Sequence, residues 1–180
     1  IGPRKKDDWL ANFIVHPDDM KTFDGPPHDD QRLQCDLWHQ RRSLPLFRAN
    51  IRATELTEAL KDDDELVSAL LVVSGLGSFR VSFNGVPLSA SGPIDPPFTD
   101  YTKRVMYRGF DVTKFLQEGK YYTSDISHVV GIETGSGWWD HRPVSGSSIV
   151  QLDLLPRGPV TVIAQLYLRT LSGKQHVLIP

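Results

Sequence analysis

Acid–base chemistry by paired carboxylates needs two of them facing one cleft. Asp95, Asp100, Asp111, Glu133 and Asp140 all lie in or beside the most patterned stretch of this chain. Their spacing sets no two against each other, and Asp111, ahead of VTKFL, already suits a helix cap. The six histidines, His16, His28, His39, His128, His141 and His176, stand singly, without the HExxH or paired Cys/His spacing that holds zinc. Cys35 is the single cysteine; it excludes an intrachain disulfide and reads as a small apolar residue rather than a nucleophile. No serine sits in a G-x-S-x-G elbow, and there is no P-loop. Gly75-Leu76-Gly77 lacks the third glycine and βαβ setting of a dinucleotide site, so it reads as a tight bend between strands. Asp62, Asp63 and Asp64 lack the alternating oxygens and turn glycine of an EF-hand loop. They read as a solvated loop. Calcium therefore has no motif behind it, and neither a metal nor a cofactor is expected.

The surface chemistry worth pursuing is Trp138-Trp139-Asp140-His141-Arg142. On an extended segment adjacent residues point to opposite faces, so at most one of the two tryptophans is core. The other offers a flat ring beside a carboxylate and a guanidinium. That combination suits a sugar, whose C–H face stacks on the ring while Asp140 and Arg142 bond its hydroxyls. Asp100 and Tyr101, from FTDY, are counted with Trp138, Trp139, Asp140 and Arg142 as candidate carbohydrate ligands. The competing reading packs the second ring under the N-terminal arm or against another domain.

Strands must position these residues. Phe79, Val81 and Phe83 share one face of a strand, with Arg80, Ser82 and Asn84 on the other. Asn84-Gly85 follows as a two-residue hairpin turn, where both central residues take positive φ. Further strands are expected over Leu44–Ala53, Ala69–Ser74, Lys103–Phe110, His128–Thr134 and the alternating run Val160–Leu168, with Ser172-Gly173 turning into Gln175–Ile179. Glu55–Ser68 is an acidic excursion with room for a short helix. Asp111 caps one helical turn with Val112, Phe115 and Leu116 on a single face.

Many short strands with almost no helix predict an all-β sandwich. Residues 1–43 are expected as an extended N-terminal arm packed on the body, with Trp9, Leu10, Phe13, Ile14 and Val15 as its anchor. Residues 44–180 form a single sandwich domain.

With 39% hydrophobic and 23% charged residues among 180, the composition is that of an ordinary globular protein. A net charge of -2 argues against nucleic acid as a partner, and no apolar run approaches the roughly 18 residues of a membrane span. The chain opens on Ile1 without a signal-peptide pattern, which leaves the compartment open.

LPLFRANI, SALLVVSGLGSFRVSFNGVPL, PPFTDYTKRVMYRGFDVTKFL and GSGWW occur in that order from Leu44 onward. The series resembles the N-terminal β-sandwich domain of bacterial-type α-L-rhamnosidases. That family has an FR-containing strand, a GLG hairpin ending in NG, a TDY run before KRV, a DVT turn and a terminal GxGW. VTVIAQLYLRTLSGKQHVLIP is similar to the family's next strand pair. The resemblance implies a jelly-roll sandwich of the galactose-binding-like kind, with one or two short helical turns. It also implies an (α/α)6-barrel catalytic domain of the same polypeptide, expected after residue 180, that performs inverting hydrolysis with acidic residues. Helical hairpin repeats are absent from these 180 residues, so no catalytic residue carries over. What remains is a non-catalytic accessory domain that supports the barrel and binds rhamnose-type carbohydrate. The alternative is a free-standing lectin-like or protein-interaction sandwich with no hydrolase attached.

Overall fold

The computed structural model describes residues 14–15, 45–60, 65–88, 95–97, 99–118, 126–137, 139 and 159–178. In order these form β1 (Ile14–Val15), β2 (Leu46–Arg52), α1 (Ala53–Ala59), β3 (Leu66–Leu76), β4 (Ser78–Phe83) and β5 (Val86–Pro87). Then come β6 (Tyr107–Asp111), α2 (Thr113–Glu118), β7 (Ile126–Gly135), β8 (Thr161–Thr170) and β9 (Gln175–Leu178). Every pairing is antiparallel. One sheet runs β1-β8-β3-β6 with β9 also on β8, and the other runs β2-β7-β4-β5. The expected all-β sandwich is what forms.

Period-two patterning builds the core between the sheets. Leu71 and Val73 of β3 and Ala164, Leu166 and Leu168 of β8 meet Phe79, Val81 and Phe83 of β4 and Val130 and Ile132 of β7. The bend between β3 and β4, at Gly77 (φ +109°), carries the chain from one sheet to the other. β3 is longer than the expected Ala69–Ser74 because it lies between β8 and β6 and is apolar on both faces. Val72, on the side away from the core, is as buried as Leu71. Its register partner Gln165, a polar member of the alternating run, is also fully buried, and its amide donates to the Tyr167 hydroxyl at 2.5 Å.

The expected strand Lys103–Phe110 is shorter, starting at Tyr107, because Asp100 winds the chain before it. The backbone N–H groups of Lys103 and Arg104 both donate to the Asp100 carbonyl, and that of Thr102 donates to its carboxylate. An aspartate that bonds its own following backbone competes with the sheet ladder and wins here. α1 takes only the first part of the acidic excursion Glu55–Ser68, whose last three residues belong to β3, and Glu55 accepts the Arg52 N–H at its start. Asp111 acts at the start of α2 as expected: Oδ1 accepts from the Thr113 N–H and hydroxyl, which lowers its pKa. Of the expected N-terminal anchor, Ile14 and Val15 pair with Val162 and Thr161 of β8; Trp9, Leu10 and Phe13 lie outside the described residues.

The Asn84-Gly85 turn has the positive φ pair expected of it, +52° and +80°. Asn84 also fastens β4 to β7. Its Oδ1 accepts the Val129 N–H at 2.9 Å, so its Nδ2 must be the group 3.0 Å from His128 Nδ1. That amide can only donate, which makes Nδ1 an acceptor and the ring neutral. Burial lowers the His128 pKa below its ordinary 6.5. A histidine held neutral in the fold gives its full stabilisation above that ordinary value. The contribution is lost as pH falls below it, because the unfolded chain takes up the proton first. Melting temperature is therefore expected to drop as pH falls below about 6.5. His128→Gln, which keeps an acceptor without a titration, should flatten that slope; an equal slope in both proteins would assign it elsewhere.

Candidate functional site

Two glycine motifs place the one candidate tryptophan that the structure describes. β7 ends at Gly135 and the chain turns through Gly137 (φ +54°), whose α-carbon is pressed against the bend between β3 and β4. A Cβ at Gly137 would stand 2.9 Å from the Ser78 nitrogen, and one at Gly77 2.7 Å from the Gly135 carbonyl oxygen. This backbone-to-backbone contact sets Trp139 on the end of the sandwich. Its indole Nε1 donates to the Pro159 carbonyl at 3.0 Å, an oxygen that also accepts the Thr161 hydroxyl. Tyr101 meets the indole edge-on, with ring centroids 5.4 Å apart at 76°. Both rings are half-buried. Burial raises the Tyr101 pKa, so its hydroxyl stays protonated and able to donate.

Trp139 thus sits in a turn, and the strand alternation invoked for the tryptophan pair does not apply to it. Trp138, Asp140 and Arg142 lie outside the described residues. Trp139 and Tyr101, 38 positions apart, are brought together. Asp100 is adjacent but engaged: Oδ1 accepts from the Thr102 N–H and hydroxyl, Oδ2 lies 3.0 Å from Lys103 Nζ, and its pKa is lowered by these bonds. The ring pair can offer an apolar face; Asp100 shapes the loop that carries Tyr101.

An ion pair between a buried aspartate and a surface arginine was not foreseen from the sequence. Asp95, whose carbonyl accepts the Phe79 N–H at the start of β4, sends Oδ1 to within 3.2 Å of Arg108 Nε on β6. It ties the edges of the two sheets together. The Asp95 side chain is 8% exposed, and its Oδ2 has no hydrogen-bond partner. Arg108 stands two residues before the core residue Phe110, yet its side chain is 45% exposed, so strand parity gave no sign of the pair. Removing the guanidinium leaves a buried carboxylate, so Arg108→Ala is expected to cost about 1–3 kcal/mol and Asp95→Asn less. Urea titration compares them; equal losses would show that the pair's charge is irrelevant.

A hollow of about 230 Å³ lies between the sheets, lined by Phe47, Ala49, Val130, Ile132, Val162 and Ala164 with Arg48 at its rim. Its hydrocarbon walls offer a sugar almost no hydrogen bonds. Among the described residues no group of three His, Cys, Asp or Glu could hold a metal, and no helix is long and apolar enough to cross a membrane.

Comparison with known proteins places this architecture. The family model described as the alpha-L-rhamnosidase N-terminal domain matches residues 64–179. Among solved structures, the alpha-L-rhamnosidase of Dictyoglumus thermophilum superposes over 76% of this chain with TM-score 0.52 and 20% identity. The native enzyme of Aspergillus terreus does so over 81% with TM-score 0.53 and 18% identity. This chain spans 12% and 16% of those two chains. No curated protein matches.

Proposed function

The chain belongs to the α-L-rhamnosidase N-terminal domain family, and from that premise we propose that it is the non-catalytic accessory domain of a rhamnoside-cleaving glycoside hydrolase. It is a single sandwich unit of the jelly-roll, galactose-binding-like kind, with residues 1–43 as its arm. In this reading it supports the catalytic barrel of the same polypeptide and contacts rhamnose-type carbohydrate. The share of the two superposed enzymes that it matches, 12% and 16%, is that of one domain beside a much larger remainder.

The observation that carries the sugar contact is the Trp139 ring. It is fixed by the Pro159 carbonyl and the Tyr101 ring, and part of it is left to solvent. A fixed aromatic face binds a sugar's C–H surface without paying for the ordering of the ring. Trp138, Asp140 and Arg142, on either side of it in sequence, serve as partners for the hydroxyls. Tyr101 adds its phenol, and Asp100 holds the turn that presents it. For the non-catalytic half of the reading, the purified chain should release no nitrophenol from 4-nitrophenyl α-L-rhamnopyranoside. Hydrolysis that disappears when the protein is unfolded would overturn it.

A further inference from the structure

We propose that the outer face of the β3-β8 sheet is the docking surface of the chain's own N-terminal segment, Trp9–Phe13. It rests on the reading of residues 1–43 as an arm of the sandwich, and it says where the apolar part of that arm lies. The two sheets treat their outer faces differently. On the β2-β7-β4 sheet Leu46 is 76% exposed, and Arg48, Asn50 and Arg80 are exposed beside it. On the other sheet Val72 and Gln165 are fully buried and Ser74 and Ile163 nearly so, although all four point away from the core. Neither described helix supplies that cover. α1 turns Leu56 and Ala59 into the core between the sheets, and α2 turns Phe115 and Leu116 there.

β1 brings the N-terminal segment to the edge of this sheet. Ile14 and Val15 pair with Val162 and Thr161 of β8, and Val162 faces the core. One further step of that register sets Phe13 opposite Ile163, on the covered side. The four residues before Phe13 reach about 13 Å when extended, and crossing from β1 over β8 to β3 takes about 10 Å. Trp9 therefore reaches Val72.

Composition selects the same residues. Arg4-Lys5-Lys6-Asp7-Asp8 precedes them and suits water, whereas Trp9, Leu10 and Phe13 offer large apolar side chains to Val72 and Ile163. Residues 140–158 hold the competing apolar run, IVQLDLL. They leave Trp139 and return to Pro159, which are bonded to each other at one end of the sandwich, and Gln165 lies about 20 Å further along β8. A face covered from within is closed to a catalytic barrel and to carbohydrate, so those contacts fall to the ends of the sandwich and to the β2-β7-β4 face.

NMR of the intact, unaltered chain tests this. Nuclear Overhauser contacts are expected from the Trp9 and Phe13 ring protons to the Val72 and Ile163 methyls. In a protein carrying Trp9→Ser and Phe13→Ser, the Gln165 side-chain amide is expected to exchange with solvent about tenfold faster. Val72 and Ile163 methyls that meet only residues 140–158, or a Gln165 amide equally protected in both proteins, would overturn the proposal. If the double variant fails to fold, the ring-to-methyl contacts of the unaltered chain decide. The Trp139 indole response to L-rhamnose reports on the sugar contact separately, so a response there without contacts at Val72 sinks the arm's placement alone.

Discussion

Phe83→Ala is expected to lower the free energy of unfolding by about 3–5 kcal/mol. Phe83 ends β4 and is fully buried. Its ring lies 5.3 Å from Phe115 of α2 and 5.5 Å from His128 of β7, so one side chain joins the helix, the hairpin and the sheet. Truncation removes the transfer term and opens a cavity among residues that backbone pairing prevents from collapsing inward. Domains of this kind are stable by only about 5–15 kcal/mol, so the loss is a large share of the total. A urea titration reads it directly. A change below about 1 kcal/mol would show that the α2 side of the core repacks freely.

Gly137→Val is the second large effect. A β-branched residue at φ +54° is strained by about 1–3 kcal/mol, and its Cβ would stand 2.9 Å from the Ser78 nitrogen and 3.0 Å from the Gly77 carbonyl carbon, which are backbone. Crowding adds about 1–3 kcal/mol. Gly85→Val provides the control. Its φ is +80° but nothing lies within 4 Å of the added carbon, so only the strain of about 1–2 kcal/mol remains. The Gly137 variant should also lose the Trp139–Pro159 bond, seen as red-shifted tryptophan emission, while Gly85→Val keeps the native spectrum. Equal losses from both, with unchanged emission, would mean that the glycine contact does not position Trp139.

Much of the fold was legible because its signals are local. Alternation in Phe79–Phe83, the Asn84-Gly85 turn and the Asp111 cap all depend on residues a few positions apart, and each forms as expected. Where the expectation failed, a competing contact won. Asp100 folded the chain onto itself ahead of β6, and Gln165 is covered on the outer face of its sheet. The Trp139–Tyr101 and Asp95–Arg108 contacts join segments that only the closed sandwich brings together. The residue types were visible in the sequence; the pairings were not.

The most direct test of the account is L-rhamnose titration of the intact chain, followed at the Trp139 indole N–H in a ¹⁵N spectrum. The predicted result is a saturable shift of the indole and of neighbouring backbone amides with a millimolar dissociation constant, the amide shifts being abolished in Trp139→Ala while that protein stays folded. An indole resonance unmoved at saturating sugar, with the Pro159 bond intact, would contradict the sugar contact and leave Trp139 as packing alone.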